Sequence, residues 1–274
     1  MMETLSKRIR RVPGYFLATL LAVGQMTVSQ GHDTWVEVNT PEVRLGNPVH
    51  IDLKLGNHGN DHRDFKLHSL ITLDHATLSV IEPCGCETDL IPRLHGTAYE
   101  PKQGYWTGRF VTSKAGLHAV AHRLDVLHRT TRAIKSGKAF FFAGDPSDEL
   151  GGETALSSRP MGHALELVPL THPVVEAGAG KPFRVRVLFR GEPLANARVT
   201  SIPRGGELAE GFDPEFERMT GADGEAEFAP AEANVYLFVV HLRKPEERGD
   251  GYDATHYSAT LTVAVPTAPL SGAE

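Results

Sequence analysis

Apolar and polar residues alternate with period two in three well-separated places: His50-Ile51-Asp52-Leu53-Lys54-Leu55, Phe183-Arg184-Val185-Arg186-Val187-Leu188 and Thr260-Leu261-Thr262-Val263-Ala264-Val265. Successive side chains of a strand point to opposite faces, so each run predicts a strand with one face in a core. Glycine, proline and Asp-Gly steps interrupt the chain at short intervals, and no segment sustains a long helical stripe. Short strands so spaced predict an all-β chain built of sandwiches, with at most a turn or two of helix in the connections.

The pattern also predicts an order along the chain. Lys7, Arg8, Arg10 and Arg11 precede the apolar run Tyr15–Val23, which is shorter than the roughly 20 apolar residues of a spanning helix and fits the core of an export signal. Small residues Ser29 and Gly31 stand where a signal peptidase needs them, so residues 1–31 are expected to be a signal peptide, with a cut after Ser29 as the alternative. A stretch from Gly144 to Pro160 is rich in breakers and acids without periodicity. It reads as a linker at 146–160 between an N-terminal sandwich at 32–145 and a C-terminal sandwich at 161–266, with a tail at 267–274. The 41% hydrophobic content is enough for two units that each bury a core.

Charge changes the picture by exclusion. The leader carries Lys7, Arg8, Arg10 and Arg11 against Glu3, so its removal makes the whole-chain net charge of −6 more negative by three. An acidic chain without a basic cluster is a poor binder of nucleic acid or anionic lipid. The expected location is periplasmic or secreted, in soluble form after signal cleavage.

Candidate chemistry centres on histidine, the commonest metal ligand. Ten of the 14 histidines lie between His32 and His128, and so enrich the first half. Cleavage before His32, in Gly31-His32-Asp33-Thr34-Trp35, would make a histidine the mature N-terminus. An α-amine with a pKa of about 7.7–8.0 and an imidazole near 6.5 would then offer one metal ion two nitrogen donors. His58 and His62 fall in the polar loop Gly56-Asn57-His58-Gly59-Asn60-Asp61-His62-Arg63-Asp64, which is either a second cation site or a plain turn. His118 and His122 would share one face of a strand, as a two-histidine site or as packing residues. Cys84 and Cys86 flank one glycine. They make either a tight local disulfide or a thiolate pair for a soft metal.

The second half carries Leu165-Glu166-Leu167-Val168-Pro169, then Arg190-Gly191-Glu192-Pro193-Leu194-Ala195-Asn196-Ala197-Arg198-Val199, an expected hairpin on Asp223-Gly224, and Val239-Val240-His241-Leu242. With His32-Asp33-Thr34-Trp35 after the leader, this order resembles an exported domain-of-unknown-function family. That family is described as the periplasmic component of nickel or cobalt uptake systems of the ABC and ECF types. The resemblance implies two consecutive immunoglobulin-like or transthyretin-like β-sandwiches, the second of the carboxypeptidase-regulatory kind. It also implies metal ligands at His32 and His241, to which His256 is added from its place before the last strand. The His58–His62 loop and the cysteine pair are not mapped onto the family.

The leading expectation is therefore a non-enzymatic exported binding protein for a divalent transition metal, nickel or cobalt and possibly copper, which presents it to a membrane transporter. Its ligands would come from His32, His241 and His256, with His58 and His62 as a second set. One alternative is a non-catalytic β-sandwich scaffold that binds carbohydrate or protein. The other is a copper monooxygenase with an N-terminal histidine brace. The chain has no Gly-x-Ser-x-Gly elbow, His-Glu-x-x-His pair, P-loop or dinucleotide fingerprint.

Overall fold

The computed structural model describes residues 32–56, 73–100, 103–145 and 156–270. Among them the chain is nearly all β, with two short 3₁₀ turns at Leu73–His75 and Ile91–Arg93 and no helix long and apolar enough to cross a membrane. The fold class is the expected β-sandwich class. Each of the three alternating runs lies in a strand: β3 (Pro48–Gly56), β11 (Phe183–Phe189) and β17 (Ala254–Val265). In β3, Val49, Ile51 and Leu53 are buried while Pro48 and His50 face out; in β11, Phe183, Val185 and Val187 are buried.

Three sheets form. The first has the antiparallel order β1 (Asp33–Val38), β3, β7 (Gln103–Val111), β6 (His95–Glu100). In the second, β11 pairs with β10 (Leu165–Pro169), β12 (Glu192–Pro193) and β15 (Glu225–Phe228). Arg190 and Gly191, with φ of 54° and 88°, make the two-residue turn from β11 to β12, where left-handed backbone matches the twist of a hairpin. The third sheet has nine strands. It runs β14 (Glu217–Met219), β13 (Arg198–Pro203), β16 (Asn234–Lys244), β17, β9 (Thr131–Ala143), β8 (Gly116–His128), β4 (Ala76–Ile81), β5 (Glu87–Asp89), and β2 (Glu42–Val43) joins the end of β9.

The centre of that sheet is the parallel pairing of β9 with β17, from Thr131 opposite Ala254 to Ala139 opposite Thr262. It puts strands from 32–145 and from 161–266 into one sheet; residues 146–155 of the expected linker lie outside the described residues. In β9, Phe140 and Phe142 enter one core with Phe183, Val185, Phe238 and Leu261, while Ala139 and Phe141 enter a second with Ile51, Leu53, Leu78 and Phe110. A strand covered on both faces reads as a continuous apolar run, as Ala139-Phe140-Phe141-Phe142-Ala143 does. The turn on Asp223-Gly224 forms, with Gly224 at φ +75°, but it is not a hairpin. Its flanking strands belong to different sheets, β14 pairing with β13 and β15 with β11. It therefore carries the chain across the sandwich.

In β17 the polar positions are buried too, because β1 crosses above them. The Thr260 hydroxyl donates to the carbonyl of Thr34 at 2.9 Å and that of Thr262 to Val36 at 2.7 Å. Gly137 of β9 permits the approach: a Cβ there would lie 2.9 Å from Thr260 Oγ1 and 3.4 Å from the Trp35 Cα. Gly137→Ala is expected to lift β1 from the sheet and lower stability by about 1–3 kcal/mol, the usual result of overpacking a tight contact. Denaturant unfolding checks this; an unchanged midpoint would place β1 farther from β9.

Candidate functional site

β1 is anchored by side chains of three other strands. Lys135 of β9 donates its ammonium to the carbonyl of His32. His241 of β16 places Nε2 2.9 and 3.1 Å from the two carboxylate oxygens of Asp33. Farther along β1, Glu37 accepts from Lys54 of β3 at 3.0 Å and from Arg204 just after β13. The register explains the first group. His241 lies opposite Ser258, Ser258 lies opposite Lys135, and Arg243 lies opposite His256. Residues opposed across paired strands share a face, so His241, His256 and Lys135 all project on the face that β1 crosses. The His241 and His256 rings have centroids 5.6 Å apart at 43°.

The electrostatics divide these groups. Burial opposes ionisation of Asp33, yet the charge and hydrogen bond of His241, helped by Lys135, hold its carboxyl below the usual carboxylate range. For His241, burial alone would favour the neutral ring, but the charge and hydrogen bond of Asp33 outweigh it and raise the pKa. For His256 the charge of Asp33 does not outweigh the opposing effects. Burial, reinforced by the charges of His241 and Lys135, pushes it down to about 4, so at neutral pH it is an uncharged imidazole. Burial also lowers the Lys135 ammonium, against the opposing charge of Asp33.

Of the five histidines expected as ligands from the sequence, three come to this corner. His32 is held by its carbonyl, His241 by Asp33, and His256 lies beside His241. His58 and His62 lie outside the described residues. His118 and His122 do share a face of β8, but each is buried and already hydrogen-bonded. His118 sits between the Gly116 carbonyl at 2.9 Å and Thr112 Oγ1 at 3.2 Å and stacks on Phe141. His122 sits between the Thr77 carbonyl at 2.9 Å and Thr34 Oγ1 at 3.2 Å. Asp33 and Lys135 were not singled out from sequence. The adjacency of Asp33 to His32 could have flagged it, whereas Lys135 arrives only through the parallel register of β9 and β17.

An imidazole that gives one ring nitrogen to a carboxylate has its orientation and tautomer set, the arrangement commonly found behind metal-ligating histidines. His256 adds a neutral ring, and cleavage before His32 would add an amine. The corner is nevertheless an open group rather than a closed cage: among the described residues, the set of three ionisable donors whose atoms all lie within 4.8 Å of one another is Glu82, Cys84 and Cys86.

Fold and corner together define a β-sandwich module whose first strand begins in a half-buried polar cluster. The chain belongs to the family described as domain of unknown function DUF4198, whose model matches residues 29–244. No curated protein matches it. Similar solved structures include a DUF4785 family protein from Legionella pneumophila (11% identity, 75% of this chain and 50% of that one, TM-score 0.29). The adhesin InvE of Yersinia pseudotuberculosis (10% identity, 84% and 58%, TM-score 0.23) and murine CEACAM1b (9% identity, 85% and 98%, TM-score 0.22) are others. The chain spans about half the length of the first of these.

Proposed function

We propose that the chain is an exported, non-catalytic module that captures a divalent transition metal ion, nickel or cobalt first, and presents it to a membrane transporter. The observation that carries this reading is that the backbone of His32 reaches the corner where His241 and His256 lie side by side, although more than 200 residues separate the first from the others in sequence. Asp33 orients His241, and His256 is an uncharged nitrogen donor at neutral pH. Nitrogen donors of this kind suit nickel, cobalt and copper, with copper held more tightly than either. Residues 1–31 would act as the export signal and leave the His32 amine in the corner.

Equilibrium titration of the exported chain with nickel, cobalt and copper tests the reading. His241→Ala and His256→Ala are expected to weaken binding by roughly 10–100-fold, the scale of lost ligands and their supports, whereas His50→Ala, on an exposed position of β3, leaves it unchanged. Wild-type affinity in both corner variants would remove the metal assignment. A second reading has its own support, since the Asp33–His241 bond and the Lys135 contact to His32 also clasp β1 to the sheet. If His241→Ala lowers stability without altering metal affinity, the corner is a clasp and the protein a binding scaffold.

A further inference from the structure

We infer that the turn carrying Cys84 and Cys86 is a redox-gated site for a thiophilic dication, closed as a disulfide and opened by a dithiol reductant to two thiolates and the Glu82 carboxylate. The turn joins β4 to β5, and the two cysteines form a disulfide across Gly85 with Cα atoms 5.4 Å apart. The backbone closes it independently of sulfur. Glu82 N–H donates to the Cys86 carbonyl at 2.9 Å, Gly85 N–H donates to the Glu82 carbonyl at 2.8 Å, and Gly85 takes φ +80°, where glycine is at ease. Ile81 and Glu87 pair directly below. Breaking the S–S bond therefore leaves both sulfurs on the same short turn.

The third donor is set from the other side. Glu82 Oε1 accepts the Thr112 hydroxyl at 2.9 Å, and Thr112 Oγ1 also receives the Lys114 N–H at 2.9 Å and lies 3.2 Å from the buried His118 ring. Donor atoms of Glu82, Cys84 and Cys86 all lie within 4.8 Å of one another, and both cysteines are exposed to a partner reductant while Glu82 is half-buried. Two thiolates and a carboxylate select soft or borderline dications with tetrahedral preference, zinc and cadmium before nickel. Three protein ligands leave a fourth position open, the arrangement of an exchangeable site.

The chemistry balances with a dithiol as reductant. Two electrons and two protons pass to the Cys84–Cys86 bond, giving two thiols, while the dithiol closes to its own disulfide. The incoming dication then displaces the two thiol protons. No residue is shared with the histidine corner, so the inference stands or falls apart from the proposed function.

The test uses the exported chain, reduced anaerobically, freed of reductant and titrated with cadmium, read by the near-ultraviolet thiolate-to-metal charge-transfer band. Reduced protein is expected to bind one cadmium per chain with that band, and the oxidised protein to show none. Cys84→Ser/Cys86→Ser should abolish the band without loss of fold, since the backbone bonds hold the turn. Glu82→Gln should weaken binding roughly tenfold, and His241→Ala should leave the band as it is. Equal cadmium binding by the reduced chain and the double serine variant, loss of the band in His241→Ala, or one metal per two chains would each overturn the inference.

Discussion

Glu166→Gln is expected to lower the stability of the whole chain by about 3–5 kcal/mol, the cost of leaving a buried charge without its partner. Lys138 of β9 and Glu166 of β10 are each 1% exposed and form an ion pair between the nine-stranded sheet and the sheet packed on it. Burial lowers the Lys138 ammonium and the Glu166 charge opposes that. Glu166 also accepts the N–H groups of Met161 and His163, the latter at 3.0 Å, so it closes the chain's return into β10. Glutamine keeps the shape and an acceptor for His163 but removes the charge that Lys138 needs. Lys138→Met in the same chain should restore much of the loss, because the pair contributes less than the penalty for breaking it. Denaturant midpoints of the two single variants and the double variant measure this. Additive losses would show that the residues do not act as a pair.

The second large effect is acid sensitivity above the range in which carboxylates titrate. Burial pushes His122 down to about 4, with the Lys135 charge adding to it, and pushes His163 down to about 3, helped by Lys138 and Arg123. Both are folded as neutral rings, so the unfolded chain binds protons first as pH falls. Stability is complete above about pH 6.5, the unfolded value, and is lost progressively as pH drops towards 4. At about 1.4 kcal/mol per pKa unit, His122 alone removes about 3 kcal/mol by pH 4 and His163 a similar amount, together a large part of an ordinary domain's 5–15 kcal/mol. His241 has the opposite sign: its raised pKa adds stability as pH falls to about 6.5 and nothing below it, so it does not offset the loss, to which His256, lowered to about 4, adds. Unfolding midpoints between pH 7 and 4 should fall steeply in the wild type and less in His122→Gln. Parallel profiles would mean that His122 is not held as a buried neutral ring.

Local pattern sufficed for the strands that have one wet and one dry face. The runs at 50–55 and 183–188 are β3 and β11 because period two is a property of the extended backbone itself. It misled at β17, where Thr260 and Thr262 look like an outer face but donate to the backbone of β1. Hydroxyls satisfied by a distant carbonyl and hydroxyls satisfied by water look alike in a sequence. Asp223-Gly224 carried the right turn signal, yet which sheets its flanking strands join is a matter of long-range pairing.

The corner divides in the same way. Histidine enrichment, a candidate N-terminal histidine and a resemblance at His241 were legible without coordinates, as was the shared face of His118 and His122. Residue type and spacing determined that much about this protein: an all-β chain and a short roll of nitrogen donors. Only the tertiary structure decided that His118 and His122 are consumed by carbonyl and hydroxyl partners, that Asp33 faces His241, and that Lys135 reaches the carbonyl of His32. The physical reason is the parallel β9–β17 ladder. Its register brings residues more than 100 positions apart onto one face, and ladder bonds between backbones carry no mark in the side chains that local pattern could read.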